Sequence, residues 1–274
     1  MDFDTPMSFA EAVKHLLSKQ LMPTALDSAG LRLLDDSIRR QSFFSAQTLS
    51  EDLLGRYKTF VGSIIEPKQV QREGEPQTVT EGFNPATART AIKDFLRSAG
   101  YQPEEGEAGT IKDLSSDARV NLVINTNVQL AQSAGHLVQG NMDADVVDLW
   151  PAWEFIRAEQ RKEPRRWDGP NGLWINACRR AGDTRAIECY GRTERMCALK
   201  SSKVWSDEIG DPDYTPGGLD DGLLDPVAFG TGMEREEMSR EECEDPEIGL
   251  LEPGEKAVPA QIDMGSLFGT PKPA

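Results

Sequence analysis

The chain has 274 residues, an apolar fraction of 38% and a formal net charge of −16. That length is enough for one large domain or two small ones. The charge argues against a surface that wraps nucleic acid, no apolar run approaches the roughly 20 residues of a membrane span, and the acidic N-terminus lacks the bases of a secretory signal.

Apolar residues at helical spacing predict several helices in the first 100 residues. The predicted helices are residues 8–20, residues 25–39, a helix that starts at Thr48 or Ser50 and carries apolar residues to Ile64, and a helix opened by Asn84–Pro85 and closed by Gly100. His15 has no acid or metal ligand near it in the sequence, so it is expected at a helix surface or interface. Residues 66–84 are polar and rich in Pro and Gly, which indicates a linker.

A long helix is predicted to begin near Ser115–Asp117, whose side chains suit a helix N-terminus. Between Asn121 and Gln132 it carries five amide side chains and no charge. Buried amides require hydrogen-bond partners, so this face is expected either to pack on another helix or subunit or to be a plain polar surface.

All five tryptophans lie between Trp150 and Trp205. Alternation in residues 152–160 favours a strand there, with a helical turn as the alternative. The following segment contains Pro164 and Pro170, and its arginines could stack on nearby tryptophans. Residues 179–203 are expected to form one or two short strands, which would make this block the chain's most specific packing region.

The last part of the chain, residues 206–274, has the composition of an acidic, turn-rich tail. One short helix is predicted in residues 232–245, and the apolar residues Ile262, Met264, Leu267 and Phe268 could dock on a partner. From Arg157 to Lys203 there are twelve Lys and Arg against six Asp and Glu, whereas residues 206–256 hold three against seventeen. These two blocks could pair within the protein, contact a partner, or simply form two solvated faces.

The predicted fold class is therefore α+β, mostly α-helical, with a small β-containing region rich in Trp and Arg. The predicted organisation is an N-terminal helical region (1–65), a linker (66–84), a central helical and aromatic core (85–205), and the acidic tail (206–274).

The sequence lacks the common motifs for phosphate cradles, dinucleotides, zinc proteases and α/β-hydrolases. Its four cysteines have no C-x-x-C spacing, and we expect them to be reduced thiols rather than metal ligands. No cofactor, metal or catalytic residue is predicted.

Four segments resemble phage proteins of the minor head, or head-morphogenesis, type, loosely related to the Mu gpF-like group: residues 109–135, 151–167, 196–205 and 225–244. In that group a helix with the pattern R…I…T precedes a tryptophan- and arginine-rich segment. The residues that match the helix are Arg119, Ile124 and Thr126, and those that match the segment are Trp153, Arg157, Pro164, Arg165 and Trp167. The likeness covers about residues 82–250. The late Cys-x-Cys element and the histidine after the aromatic segment are missing, so no metal or redox role is carried over.

The resemblance implies a non-enzymatic, low-copy virion protein, present in the host cytoplasm during assembly and bound to portal, major capsid or scaffold protein. The chain could also form a homo-oligomer, and no membrane contact is implied. The candidate interaction residues are Arg119, Asn125, Thr126, Trp153, Arg157, Pro164, Arg165 and Trp167.

Three alternatives remain open from the sequence. One is a head–tail connector, decoration or other virion protein present in many copies. Another is an enzyme with a site in the Trp-, Arg- and Cys-rich block, for which Arg157, Arg165 and Cys189 would be the residues to test. The third is DNA binding confined to the Arg157–Lys203 block.

Overall fold

The computed structural model describes residues 10–34, 36–66, 68–71, 78–81, 85–158, 160, 164–205, 209, 232–262 and 264–268. The chain divides into two compact units. The N-terminal unit consists of residues 1–31, 37–135 and 265–274, and the C-terminal unit consists of residues 32–36 and 136–264. The α+β, mostly helical class is confirmed. Among the described residues, no helix has both the length and the apolar character that a bilayer crossing requires.

Helices dominate the first part of the chain. They are α1 (Ala10–Ser18), α2 (Ser28–Arg32), α3 (Asp36–Gln41), α4 (Glu51–Ile65), α5 (Pro85–Ser98) and α6 (Asp117–Gln139). Short strands accompany them: β1 (Gln20–Leu21) is parallel to β2 (Ser42–Phe43), and β3 (Lys68–Gln71) is antiparallel to β4 (Thr78–Glu81).

The core of the N-terminal unit is built by α1, α4, α5 and α6. The predicted cap of α4 is confirmed, since the Ser50 hydroxyl accepts a hydrogen bond from the Leu53 amide at 3.2 Å. The apolar stripe of α4 then packs against buried side chains such as Leu16, Ile92 and Val120. These helices follow the predicted periodicity because each buries one apolar face.

Two predictions for this region need correction. Residues 25–39 form α2 and α3 rather than one helix: the Asp27 carboxylate accepts from the Gly30 amide at the start of α2, and a turn at Leu33 and Leu34 follows its end. The predicted linker 66–84 contains the β3–β4 ladder, in which Val70 pairs with Val79. Alternating Val, Thr and Gln side chains suit such a ladder. Residues 72–77 and 82–84 lie outside the described part.

A last short helix, α11 (Met264–Phe268), shows where the end of the described chain lies. His15 is fully buried and its Nδ1 donates to the Leu267 carbonyl at 2.8 Å. The amide of Gln41 donates to the Gly265 carbonyl at 3.1 Å. Of the two expected places for His15, the surface is wrong and the interface is right, because Leu267 and Phe268 of α11 cover it within the same unit.

This burial makes the stability of the N-terminal unit depend on pH. Burial, followed by the nearby charge of Lys19, lowers the pKa of His15 from 6.5 to about 3. Between those values the unfolded chain binds more protons than the folded one, so stability is lost as pH falls. Going from pH 7 to pH 5 should remove about 2 kcal/mol through His15. Urea unfolding at both pH values should show this loss in the native protein and in His136→Gln, an exposed-site control, but not in His15→Gln. Equal losses in all three would contradict the assignment.

The C-terminal unit is organised around a three-stranded antiparallel sheet of order β6-β5-β7, formed by β5 (Ala152–Arg157), β6 (Cys197–Leu199) and β7 (Met233–Met238). Its helices are α7 (Ala144–Leu149), α8 (Leu173–Ala181), α9 (Thr184–Thr193) and α10 (Arg240–Glu244).

The strand predicted in residues 152–160 is confirmed as β5, but two other predictions were wrong. Residues 179–203 contain the end of α8, all of α9 and the short β6 instead of strands alone, because Gly182 closes α8 in the left-handed region at φ 69° and Asp183 caps α9. Residues 232–245 form β7 before α10, and β7 pairs with β5 along its full length. The predicted tail therefore supplies part of the sheet, while residues 210–231 lie outside the described part.

Candidate functional site

The sheet register sorts the side chains of β5 onto two faces. Trp153 and Phe155 share one face, and their cross-strand partners on β7 are Glu237 and Arg235. Trp153 donates its indole N–H to Glu237 Oε1 at 3.1 Å, and the Arg235 guanidinium lies 4.9 Å from the Trp153 ring centroid. This face therefore joins an apolar layer to a charged strand.

Five aromatic side chains pack on this face and form what we call the aromatic cluster: Trp153, Phe155, Trp167, Trp174 and Trp205. Phe155 meets Trp167 edge-on, with ring centroids 4.9 Å apart, and all five rings are buried. Such pairs add to the stabilisation from buried area. The rings of Trp153 and Trp167, predicted to be interaction residues, are therefore part of the unit's interior.

A buried lysine connects the sheet to the Gly140 backbone within the C-terminal unit. Lys200 is fully buried, and its ammonium group donates to Glu237 Oε2 at 2.7 Å and to the Gly140 carbonyl at 3.1 Å. Burial lowers the pKa of Lys200, and the hydrogen bond to Glu237 opposes that shift. A buried ammonium must be paired and hydrogen-bonded, which explains why Glu237 and Gly140 approach it so closely.

The segment 164–172 contributes Trp167 to the aromatic cluster. Its backbone carbonyls at Arg166 and Trp167 accept from the amides of Leu173 and Trp174, at 2.9 and 3.2 Å. The Tyr190 hydroxyl accepts from the Gly169 amide at 2.5 Å. These bonds hold the segment against both α8 and α9.

Arginines surround this segment and form what we call the arginine edge: Arg157, Arg165, Arg166 and Arg179. Arg157 donates to the Arg165 carbonyl at 3.2 Å, and Arg179 donates to the Pro170 carbonyl at 3.3 Å. Arg157, Arg166 and Arg179 are exposed, as is Pro164. Guanidinium groups in this arrangement can bind carboxylates or phosphates on a partner.

Several other bases of this block are paired within the protein. Arg185 contacts Glu255 at 2.9 Å, Arg195 contacts Glu154 at 2.5 Å, and Arg192 donates to two carbonyls at residues 247 and 248. Two ion pairs join the blocks of opposite charge within the protein, Arg185–Glu255 at 2.9 Å and Arg195–Glu242 at 3.4 Å. Besides the arginine edge, Arg180 and Lys203 are exposed in this block.

The opposite face of the sheet holds thiols instead of aromatics. Cys189, Cys197 and Cys243 are buried together with Ala152 and Met238, and all four cysteines of the chain are free. A hydrogen bond from the Cys197 thiol lowers the pKa of Cys189. Because Cys189 is fully buried, its place in the structure is that of a core residue.

The three candidates on α6 belong to the N-terminal unit. Arg119 is buried and donates to the Ser45 hydroxyl at 2.7 Å and to the Ala46 carbonyl. Asn125 is exposed and Thr126 is half-buried. The amide face is therefore mixed, since Asn127 is buried and donates to the Val123 carbonyl of its own helix.

Replacing Arg119 with methionine is expected to lower the free energy of unfolding of the N-terminal unit by about 2 kcal/mol. Methionine keeps the side-chain length but leaves the Ser45 hydroxyl and the Ala46 carbonyl without this donor. Arg97→Met is the matched control, because the Arg97 side chain is 78% exposed and should tolerate the change within about 0.5 kcal/mol. Urea unfolding of both variants measures the difference. Unchanged stability in Arg119→Met would contradict an internal role.

Sequence reasoning missed Lys200 and the arginines of α8. Lys200 follows a short apolar strand, and nothing in the local sequence indicates that its side chain is buried. The position of Arg179 could have been predicted from the sequence. Gly182 followed by Asp183 is a typical junction between two helices, which places Arg179 in the last turn of the first helix.

No metal centre is indicated by the described side chains, which contain no group of three or more His, Cys, Asp or Glu arranged to hold an ion. Comparisons of the chain with protein-family models, with curated proteins and with solved structures give no match. The geometry of the site and the resemblance of its segments are what remain to argue function.

Proposed function

We propose that this chain is a structural protein of a tailed phage or prophage, of the minor head type, which acts by contacts with portal, capsid or scaffold protein. The observation that carries the proposal is which residues of the resembling segments are buried and which lie at the surface. Trp153 and Trp167 form a fixed interior, while Arg157 and the adjoining segment 164–172 are held at its surface by backbone hydrogen bonds. A rigid surface with fixed arginines suits docking, because little conformational freedom is lost on binding.

This arrangement favours docking over turnover. Catalysis needs a nucleophile or base within reach of a substrate. The thiols of the described region are buried, and the arginines at the surface donate hydrogen bonds without accepting any. We therefore propose a virion protein that is not an enzyme and that meets its partners in the host cytoplasm during assembly.

The test is the composition of purified particles. Mass spectrometry of mature virions and of proheads should find this chain in at least one of them, at low copy number. A high, symmetric copy number would favour a connector or decoration protein. Absence from virions and proheads alike would overturn the proposal.

A second candidate, DNA binding, is favoured by one observation, the exposed arginines of the arginine edge. Filter binding with duplex DNA at 50 and 200 mM salt tests it, since each phosphate contact adds to the salt dependence. Binding that falls steeply with salt and is lost in Arg157→Ala combined with Arg179→Ala would support it. Absent or salt-independent binding would leave the protein–protein role alone.

A further inference from the structure

Exposed apolar side chains gather around α7 in the C-terminal unit. Met142, Leu149 and Trp150 flank or end this short helix, and Val258 lies on the extended segment 255–260. Their exposed fractions run from 43% for Trp150 to 70% for Met142. Single exposed apolar residues are ordinary, but several on adjoining segments mark an interaction surface.

Hydrogen bonds hold the two segments side by side. Asn141, before α7, accepts from the Ala260 amide at 2.8 Å, and Asp148, near its end, accepts from the Ala257 amide at 3.3 Å. Arg240 joins both segments by donating to the carbonyls of residues 148 and 255, at 2.9 and 3.0 Å. Val258 is thus fixed beside α7. We call the four apolar residues Met142, Leu149, Trp150 and Val258 the α7 ridge.

The border of the α7 ridge is acidic. Asp143 and Asp145 are exposed on α7 and its cap, and Glu252 is exposed where the neighbouring segment begins. Asp148 and Glu255 are already paired with Arg240 and Arg185. Within residues 141–150 and 252–260, Lys256 is the one base. A partner that covers the apolar centre would therefore meet negative charge around it.

We propose that the α7 ridge binds a short segment of another virion protein whose apolar side chains are flanked by lysine or arginine. The inference rests on the proposed function and names the chemistry of one partner. Trp150 and Leu149 supply the apolar anchors that dominate protein interfaces, and the acidic border selects basic flanks. The same border repels phosphate, which disfavours nucleic acid and anionic lipid on this surface.

The α7 ridge is formed before binding, because its supporting hydrogen bonds lie within the chain. Loss of an aromatic anchor at the centre of an interface commonly costs tenfold or more in affinity. Trp150→Ala should therefore weaken docking at least about tenfold. The double substitution Asp143→Lys/Asp145→Lys should also weaken docking, and its effect should be larger at low salt than at high salt.

The experiment places the photo-crosslinking residue p-benzoylphenylalanine at position 149 of the full chain, expressed together with the other particle proteins. Position 49 is the matched control, since Leu49 is 70% exposed and Leu149 is 61% exposed. Crosslinked peptides are identified by mass spectrometry, with and without the Trp150→Ala and Asp143→Lys/Asp145→Lys substitutions.

The inference is supported if position 149, but not position 49, captures one segment of another particle protein with apolar residues between Lys or Arg, and if both sets of substitutions reduce the yield about tenfold. Capture of a second copy of this chain, of an acidic segment, of nucleic acid or of lipid overturns it, and so does the same pattern from position 49. A chain found in particles with no crosslink at 149 refutes the α7 ridge and leaves the proposed function standing. A specific crosslink from position 149 in a chain that is absent from particles would support the α7 ridge and refute the proposed function.

Discussion

Replacing Trp167 with alanine is expected to lower the free energy of unfolding of the C-terminal unit by about 3–5 kcal/mol. The ring is fully buried, lies edge-on to Phe155, and belongs to the segment 164–172. Within the described residues its indole N–H has no hydrogen-bond acceptor, so the loss is one of packing and cavity formation. Thermal and urea unfolding, followed by near-ultraviolet circular dichroism, measure it.

Trp150→Ala is the matched control, because it makes the same substitution at a ring that is 43% exposed. It should cost about 2 kcal/mol, less than Trp167→Ala, since only part of the Trp150 ring is removed from water. The two variants separate interior from docking residues: Trp167→Ala weakens the fold, whereas Trp150→Ala weakens the contact of the α7 ridge. Equal stabilities for the two variants would show that the aromatic cluster is not a packed interior.

Replacing Gly172 with alanine is expected to cost about 3 kcal/mol of stability in the same unit. A Cβ atom at Gly172 would lie 2.3 Å from the Asp168 carbonyl oxygen and 2.4 Å from that of Trp167. Both contacts are to backbone, so relief requires the segment 164–172 to move. That movement would break the bonds that hold it to α8, including the one from the Trp174 amide to the Trp167 carbonyl.

Gly191→Ala is the control for this substitution. Gly191 lies exposed in α9, and no atom lies within 4 Å of the position that its Cβ would take. Alanine there should raise stability by about 0.5–1 kcal/mol, because glycine is a poor helix former. Urea unfolding of the pair should therefore give changes of opposite sign. A loss at Gly191 as large as that at Gly172 would rule out backbone crowding as the cause.

The elements whose patterns depend only on neighbouring residues could be predicted from the sequence. Ser50 as a cap, Pro85 and Gly100 around α5, and the start of α6 near Asp117 all follow from rules that involve neighbours within one or two turns. The strand β5 was also predictable, because Trp153 and Phe155 alternate with less buried residues.

The strand β7 shows why other elements could not be predicted from the sequence. Its sequence, MEREEM, is rich in helix formers and was assigned to a helix, yet it is a strand because β5 offers six paired positions across the sheet. Pairing between residues about 80 apart leaves no mark in a local pattern. One local signal was overlooked, since Ser239 and Glu242 form a capping box that starts α10 only after β7 has ended.

The candidate site follows the same division. The sequence located the tryptophan- and arginine-rich block but not which of its members face the solvent. Trp153 and Trp167 turned out to be interior, whereas Arg157 and Pro164 are exposed. Burial of this kind depends on α8, α9 and β7 all converging on β5, and that arrangement is set by contacts between distant parts of the chain.

The buried contact between His15 and Leu267 has a consequence for the order of folding on the ribosome. Leu267 lies 252 residues after His15 in the chain, so the carbonyl that satisfies His15 is made only after most of the C-terminal unit has been synthesised. Since translation adds about 5–20 residues per second, the N-terminal unit waits many seconds for its last piece. Until then the buried contact between His15 and Leu267 cannot form.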